Sequence, residues 1–181
     1  MAYIHQINNF DLQNDGGFYT PTISIYFNFC SFHCKGCWNK ETWDRKEDLY
    51  ISNEDVIKEV SGYIDSFLDE GFDTVGLSIL GGDPIVVQNV SDTLNILSSL
   101  KDKYKNRLKI CCWTGYVYEH LLRRATDDQM STLKLIDRLV DGPFIISKKT
   151  DPSLGLMYGS TNQRVIEMKE TLETGEIHLM K

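Results

Sequence analysis

The sequence predicts a single α/β domain whose five to six mostly parallel strands form an open sheet or an incomplete (β/α) barrel. The chain has 181 residues, of which 41% are hydrophobic and 25% are charged, as in one globular domain with a real core. Apolar runs typical of strands alternate with segments of helical periodicity. Since no repeat, low-complexity tract or linker interrupts this alternation, we expect one domain over residues 1–181.

The first half of the chain predicts two strands and the helix between them. Residues 22–28, TISIYFN, are rich in β-branched and aromatic side chains and predict a buried strand. A helix is expected over residues 54–70, with Ser52 as its N-cap and Gly71 at its end. A second strand follows at residues 74–80.

The second half continues the same alternation. Helical spacing of apolar residues predicts a helix over residues 89–104, and LKICCW predicts a strand at residues 108–113. Residues 116–135 are expected to form one or two helices with a break near Thr126. Further strands are expected at residues 136–140 and 164–168. Because parallel strands end at a common edge, the loops that begin with the cysteines, GGDP, TGY and DGPF should converge on one rim.

Composition and charge exclude several classes of function. The net charge of −7 argues against a nucleic-acid surface, because phosphate binding needs a basic patch. The alternating basic residues of segment 101–109 are interrupted by Asp102, and we interpret them as a solvated helix end. No apolar run approaches the roughly 18 residues of a membrane helix, and the first ten residues lack a signal-peptide pattern. We therefore expect a cytoplasmic protein that binds neither membranes nor nucleic acid.

Three of the five cysteines lie close together in the segment CSFHCKGC. Cys30, Cys34 and Cys37 have the spacing C-x3-C-x2-C, so their thiolates can reach one centre. A structural zinc site needs four ligands, commonly in two pairs, and no second pair is present. The spacing favours a three-cysteine 4Fe-4S cluster with an open iron position over a closed metal site or coincidence. Cys111 and Cys112 are expected to be buried thiols that face opposite sides of a strand.

Beyond this spacing, the sequence resembles a known family. The triplet resembles that of the radical S-adenosylmethionine (radical SAM) enzymes. Six segments in order along the chain are together similar to the family of activating proteins of anaerobic ribonucleoside-triphosphate reductase. These segments are FDLQNDGG (10–17), CKGCWNKETW (34–43), LSILGGDPI (77–85), CWTGY (112–116), LVDGPF (139–144) and GSTNQRVI (159–166).

The resemblance implies a radical SAM fold, two cofactors and a protein substrate. Cys30, Cys34 and Cys37 would be the metal ligands and the catalytic residues, and S-adenosylmethionine would occupy the open iron. Reductive cleavage of S-adenosylmethionine would yield a 5'-deoxyadenosyl radical, which removes a hydrogen from one glycine of the partner reductase. The implied partners are the glycyl-radical subunit of that reductase and a low-potential electron donor such as a flavodoxin.

The resemblance also assigns residues that surround S-adenosylmethionine. The loop with Gly81, Gly82 and Asp83 resembles the family's contact to the amino group, although Gly-Gly-Asp-Pro is also a strong turn sequence. The other implied contacts are Gly36, Cys37, Trp38, Trp113 and Thr114. Trp38 is equally compatible with a core position, and Trp113 and Thr114 with a buried strand end.

Four features of the sequence have no assigned role or depart from the family. Asp141 is compatible with a turn or with a contact to a bound ribose or peptide. Arg164 is compatible with a solvated surface position or with a contact to a carboxylate of a partner. Phe29 stands where the family usually has glycine before the first cysteine. The family's NGPG-x-R segment appears as NDGGFYTP, without the proline and the arginine.

Two alternative functions follow from the same residues. The chain could be a radical SAM enzyme that acts on another glycyl-radical enzyme or on a small molecule. It could instead be a zinc-structured adaptor or a ferredoxin-like electron carrier without catalysis. Metal and sulfide analysis separates the last class from the others.

Overall fold

The computed structural model describes residues 2–180 as seven strands in one sheet and five α-helices. The strands are β1 (Ala2–Asn8), β2 (Thr22–Phe27), β3 (Tyr50–Ile51), β4 (Val75–Gly81), β5 (Leu108–Trp113), β6 (Arg138–Asp141) and β7 (Arg164–Glu167). The helices are α1 (Asn53–Asp69), α2 (Val90–Tyr104), α3 (Tyr118–Arg124), α4 (Asp127–Leu133) and α5 (Met168–Thr174).

The sheet is open and mixed, with a parallel centre. The strand order is β3-β1-β2-β4-β5-β6-β7. Strands β2, β4, β5 and β6 are parallel to one another, whereas β1, β3 and β7 pair antiparallel at the two sides. The α/β class and the open sheet confirm the prediction. The sheet has seven strands rather than five to six, because β1 and β3 were not predicted.

The two missed strands have weak local signals. Strand β3 has only two residues, which is too short for a periodic pattern. Strand β1 lies near the edge and is only partly buried, so it lacks the continuous apolar run of a central strand. Its position became defined only through its pairing with β2 and β3.

The main core lies on one face of the sheet and includes side chains from all five helices. Ile25 of β2 and Ile79 of β4 are fully buried in this core with Val60 of α1 and Leu97 of α2. The helical positions follow the 3.6-residue period, so one apolar stripe of each helix is removed from water. Burial of each such side chain stabilises the fold by about 2 kcal/mol.

The opposite face of the sheet is covered by loops. Ser24 donates a hydrogen bond of 2.7 Å to Asp11, and Ser78 donates to the carbonyl oxygen of Asn14. Arg138 donates to the carbonyl oxygen of Gly16 at 2.8 Å. A smaller apolar cluster around Cys111 lies on this side. Polar side chains on this face are therefore bonded to the segment between β1 and β2.

Two predicted helix boundaries are confirmed in detail. The Ser52 hydroxyl accepts the amide hydrogen of Asp55 at 3.0 Å and caps α1. The segment after β5 forms two helices, with Thr126 as the N-cap of α4. Thr126 and Gln129 exchange hydrogen bonds in a capping box, which explains why a new helix begins after Thr126.

Gly62 is exposed in the interior of α1 and has no atoms within 4 Å of the position a Cβ would take. We expect Gly62→Ala to raise the free energy of unfolding by about 1 kcal/mol, because alanine loses less backbone freedom in a helix. Urea unfolding of both chains measures this change. A decrease in stability would show that α1 does not tolerate a methyl group at this face.

Among residues 2–180, no helix has the length and apolarity needed to span a membrane.

Candidate iron-sulfur site

Loops that follow the four parallel strands meet at one edge of the sheet, as predicted. The cysteine segment follows β2. The Gly81–Asp83 loop at the end of β4 is hydrogen-bonded to the residues that lead into the cysteine segment. The amide of Gly82 donates to the carbonyl oxygen of Phe27 at 2.7 Å, and the amide of Asp83 donates to that of Phe29 at 2.9 Å. The loops after β5 and β6 are joined by the amide of Gly142, which donates to the carbonyl oxygen of Tyr116 at 2.8 Å. The edge is therefore a continuous hydrogen-bonded rim.

The three clustered cysteines lie on this rim as free, partly exposed thiols. Backbone amides border each sulfur. The amide of Asn39 donates to the Cys37 sulfur at 3.4 Å. The backbone amides of Phe32 and His33 act to lower the pKa of Cys30, and that of Phe144 acts to lower the pKa of Cys34. Such N–H···S bonds stabilise negative charge on sulfur and tune iron-sulfur centres.

Burial works against the thiolate form of these cysteines. It is the main reason that the pKa of Cys30 is raised to about 11, and the nearby Asp83 carboxylate adds to the rise. Burial likewise raises the pKa of Cys34, and the neighbouring Cys37 contributes. Metal ligands must be deprotonated, so a bound metal centre has to supply the compensating positive charge.

The donor set fits an iron-sulfur cluster. Within residues 2–180, no group of three or more histidine, cysteine, aspartate or glutamate side chains is arranged to hold one metal ion. A 4Fe-4S cluster makes a different demand, because each thiolate binds a different iron atom and the sulfurs stand farther apart. Three free cysteines on one short segment provide the soft sulfur donors that such a cluster binds.

The cysteine segment is held in an unusual backbone conformation. Phe29, His33 and Gly36 all have positive φ angles, of 83°, 45° and 81°. A side chain at Gly36 would also lie 2.7 Å from Ile146. For Phe29 the positive φ costs about 1–3 kcal/mol, which the surrounding contacts must offset. The glycine that the family usually has before its first cysteine would remove that cost.

The glycines of the Gly-Gly-Asp-Pro loop are required by close packing against the end of β2. Gly81 has a φ of 93°, and a Cβ there would lie 2.9 Å from the carbonyl oxygen of Phe27. A Cβ at Gly82 would overlap the carbonyl oxygen of Phe29. The absence of side chains thus brings this loop directly against the segment that leads to Cys30.

The Asp83 side chain points into the protein and joins two loops. It is 1% exposed, and its oxygens accept hydrogen bonds from the amides of Ile85 (2.9 Å) and Gly115 (2.8 Å). The Thr114 hydroxyl lies 3.1 and 2.9 Å from the two carboxylate oxygens. Burial raises the pKa of this carboxyl to about 6 despite these bonds. Asp83 and Thr114 therefore connect the loops after β4 and β5.

The buried Asp83 predicts a specific pH dependence of stability. Its pKa rises from 3.8 to about 6, so its contribution to stability is fully present below pH 3.8 and is lost as the pH rises through about 6. We expect the unfolding free energy of the wild type, minus that of Asp83→Asn, to fall by about 2 kcal/mol between pH 4 and 7. Urea unfolding across this range measures it, with the exposed Asp69→Asn as the control. A constant difference would contradict the prediction.

The two tryptophans predicted near the cofactor occupy different surroundings. Trp113 is half-buried, and its indole nitrogen donates to the carbonyl oxygen of Met157 at 2.8 Å within the smaller apolar cluster. Trp38 is 58% exposed beside the last clustered cysteine, with the ammonium group of Lys149 at 5.6 Å from its ring centroid. Trp38 is therefore not a core residue.

Arg164 and Asp141 bind each other, which sequence reasoning missed. Arg164 donates to both carboxylate oxygens of Glu119 at 2.9 and 2.7 Å, and also to both oxygens of Asp141. Asp141 is 1% exposed and further accepts the amide hydrogen of Tyr118 at 2.9 Å. The hydrogen bonds from Arg164 lower the pKa of Glu119 to about 2. The interpretation of Arg164 as a solvated arginine is therefore wrong, and Asp141, at the end of β6, is its partner.

Asn89 is the second residue that the sequence did not reveal. It was expected only to begin a helix, yet its side-chain amide binds backbone oxygens of both the cysteine segment and the Gly81–Asp83 loop. An asparagine at a helix start is common and has no local signal for such a role.

Comparison with known proteins first identifies the class of domain that carries this rim. A family model described as a 4Fe-4S single cluster domain matches residues 17–166, which include all three clustered cysteines. Relatives named anaerobic ribonucleoside-triphosphate reductase-activating protein match most of the chain. The protein from Escherichia coli K12 is 32% identical over 91% of this chain and 98% of its own length. Those from Vibrio cholerae and phage T4 are 32% and 30% identical, over 88% and 79% of this chain and 94% and 81% of their own.

The chain belongs to the family of anaerobic ribonucleoside-triphosphate reductase-activating proteins, as its sequence motifs indicated.

Proposed function

We propose that this protein is a radical SAM activase that generates a glycyl radical on anaerobic ribonucleoside-triphosphate reductase. The observation that carries the proposal is the set of Cys30, Cys34 and Cys37 at the carboxyl edge of the parallel strands, with backbone amides at each sulfur. The match to a 4Fe-4S domain and the names of the relatives support it. The five free thiols suit a reducing compartment such as the cytoplasm.

Cys30, Cys34 and Cys37 would hold the 4Fe-4S cluster and leave one iron for S-adenosylmethionine. When bound, such a cluster would supply one low-potential electron, obtained from a donor such as a flavodoxin, for the cleavage of S-adenosylmethionine to methionine and the 5'-deoxyadenosyl radical. The backbone amides around the sulfurs offset the negative charge of the thiolates.

The residues around the cysteines would position S-adenosylmethionine in two ways. Gly81 and Gly82 let their loop pack directly against the segment that leads to Cys30, and the amino group would bind at this loop. Asp83 and Thr114 would act by joining this loop to the next one, because their polar atoms are bonded to each other. The remaining proposed contacts are Gly36, Cys37, Trp38 and Trp113.

The open sheet suits a polypeptide substrate. We propose that residues 1–181 form one radical SAM domain with an incomplete barrel. Its four central parallel strands end beneath the cysteine segment, and β1 and β7 pair antiparallel on either side of them. An incomplete barrel leaves space for a loop of the reductase to bring its glycine to the site, which a closed barrel would obstruct.

Anaerobic reconstitution tests the proposal. The chain should bind about four irons and four sulfides, the composition of a 4Fe-4S cluster. After reduction, added S-adenosylmethionine should yield 5'-deoxyadenosine. With the reductase present, an EPR doublet from a glycyl radical should develop on that partner. Cleavage without a radical on the reductase would contradict the assigned substrate, and zinc without sulfide would contradict the cofactor.

A further inference from the structure

Asn89 immediately precedes α2 and lies behind two loops of the rim. Asn89 is 2% exposed, and its side chain forms no capping hydrogen bond with the helix. Instead, its amide nitrogen lies 3.1 Å from the carbonyl oxygen of Asn28, 3.2 Å from that of Phe29 and 2.9 Å from that of Asp83. The two amide hydrogens of one side chain are thus shared among three backbone oxygens that belong to two different loops.

These three oxygens flank the parts of the site that must be aligned. Asn28 and Phe29 directly precede Cys30, and Asp83 directly follows the Gly81–Gly82 backbone. The direct link between the loops is the bond from the amide of Asp83 to the oxygen of Phe29. Asn89 bonds on both sides of this link, so it limits rotation of one loop against the other.

The backbone of Phe29 needs such support. Its φ of 83° is unfavourable for a residue with a side chain. Its amide donates to Thr42 at 2.7 Å, and its oxygen accepts from both Asp83 and Asn89. Without the Asn89 amide, the carbonyl groups of Asn28, Phe29 and Asp83 would lose a donor, and two bonds instead of three would hold the backbone of Phe29 at its positive φ.

We propose that Asn89 is a positioning residue that sets the distance and angle between the Cys30 ligand and the Gly81–Gly82 backbone. The inference rests on the proposed function, because those two elements would hold the cluster and S-adenosylmethionine. Asn89 itself touches neither. Its effect is to keep the two loops in one relative arrangement before the co-substrate binds.

Asn89→Asp is the sharpest test. Aspartate has the same size as asparagine, and the start of α2 does not depend on a capping bond from this side chain, but the carboxylate has no hydrogen to donate. Asn95→Asp is the matched control, since Asn95 is exposed on the same helix. Asn89→Ser, which keeps one donor on a shorter side chain, replaces Asn89→Asp if that variant does not fold.

Two measurements separate positioning from general stability. Hydrogen exchange of the full-length chain should accelerate at the amides of both Phe29 and Asp83 in Asn89→Asp and stay unchanged in Asn95→Asp. In the reconstituted protein, the KM for S-adenosylmethionine should rise about tenfold, the loss expected for roughly 1.4 kcal/mol. Iron and sulfide content should stay at the wild-type level, because all three ligands remain.

The outcomes distinguish the inference from the proposed function. Unchanged exchange in both loops would overturn the contact role of Asn89. Faster exchange with an unchanged KM would overturn the positioning role and leave Asn89 as a structural residue. A wild-type chain that holds a cluster without cleaving S-adenosylmethionine would overturn the proposed function and the positioning role with it, whereas exchange would still report the Asn89 contacts.

Discussion

Replacement of Cys34 by alanine is expected to abolish both cluster binding and S-adenosylmethionine cleavage. Cys34 is the middle ligand of the proposed set. Burial raises its pKa most, and the neighbouring Cys37 also raises it, whereas the amide of Phe144 acts to lower it. Changes in residues that only support metal ligands lower affinity or activity by about 10- to 100-fold, so loss of a ligand itself should exceed that range. Iron analysis and the yield of 5'-deoxyadenosine after anaerobic reconstitution measure the effect.

Cys111→Ala is the matched control for this experiment. Cys111 is also a free cysteine, but it is fully buried in the smaller apolar cluster, and burial raises its pKa well above the usual range. It should retain the iron content of the wild type. If Cys34→Ala kept its iron and its activity while Cys111→Ala lost them, the ligand set proposed here would be wrong.

Replacement of Arg164 by alanine is expected to lower the free energy of unfolding by about 3–5 kcal/mol. The reason is that Asp141 is 1% exposed and Arg164 is the cation that pairs with it. Without the guanidinium, a buried carboxylate would stay uncompensated, and Glu119 would lose its bidentate partner. Urea unfolding at neutral pH measures the loss.

Two further variants define the cause of that loss. Arg124→Ala removes an exposed arginine and should change stability by less than about 0.5 kcal/mol. Arg164→Lys keeps the charge but not the planar fork, so its stability should lie between those of the wild type and Arg164→Ala. If Arg164→Ala were no less stable than Arg124→Ala, the ion pairs would contribute nothing to folding.

Much of the central architecture could be predicted because local signals agree with the fold. The apolar run of β5 falls at the predicted residues 108–113, and α1 begins after the predicted cap Ser52. Cys111 and Cys112 are buried on opposite faces of their strand, as expected from its alternation. The side strands β1 and β3 could not be predicted, since their pairing rather than their composition defines them.

The roles of rim residues were only partly accessible from the sequence. The spacing of the cysteines and the order of the loops placed Cys34 and Asp83 on the same edge. The sequence did not reveal that the Asp83 carboxylate accepts hydrogen bonds from Thr114 and Gly115. Nor did it reveal Arg164 as a partner of Asp141, because these residues are 23 positions apart and meet only through the antiparallel pairing of β6 and β7.

The sequence by itself determined which atoms are available for iron and which family the chain belongs to, because ligand type and spacing are written along the chain. The tertiary structure alone decided how neighbouring loops are held together, through Asn89, Asp83 and Arg164. These contacts join residues that are distant in sequence, and a buried hydrogen bond depends on where its partner lies in space. Spacing along the chain does not show how close two such partners lie in the folded structure.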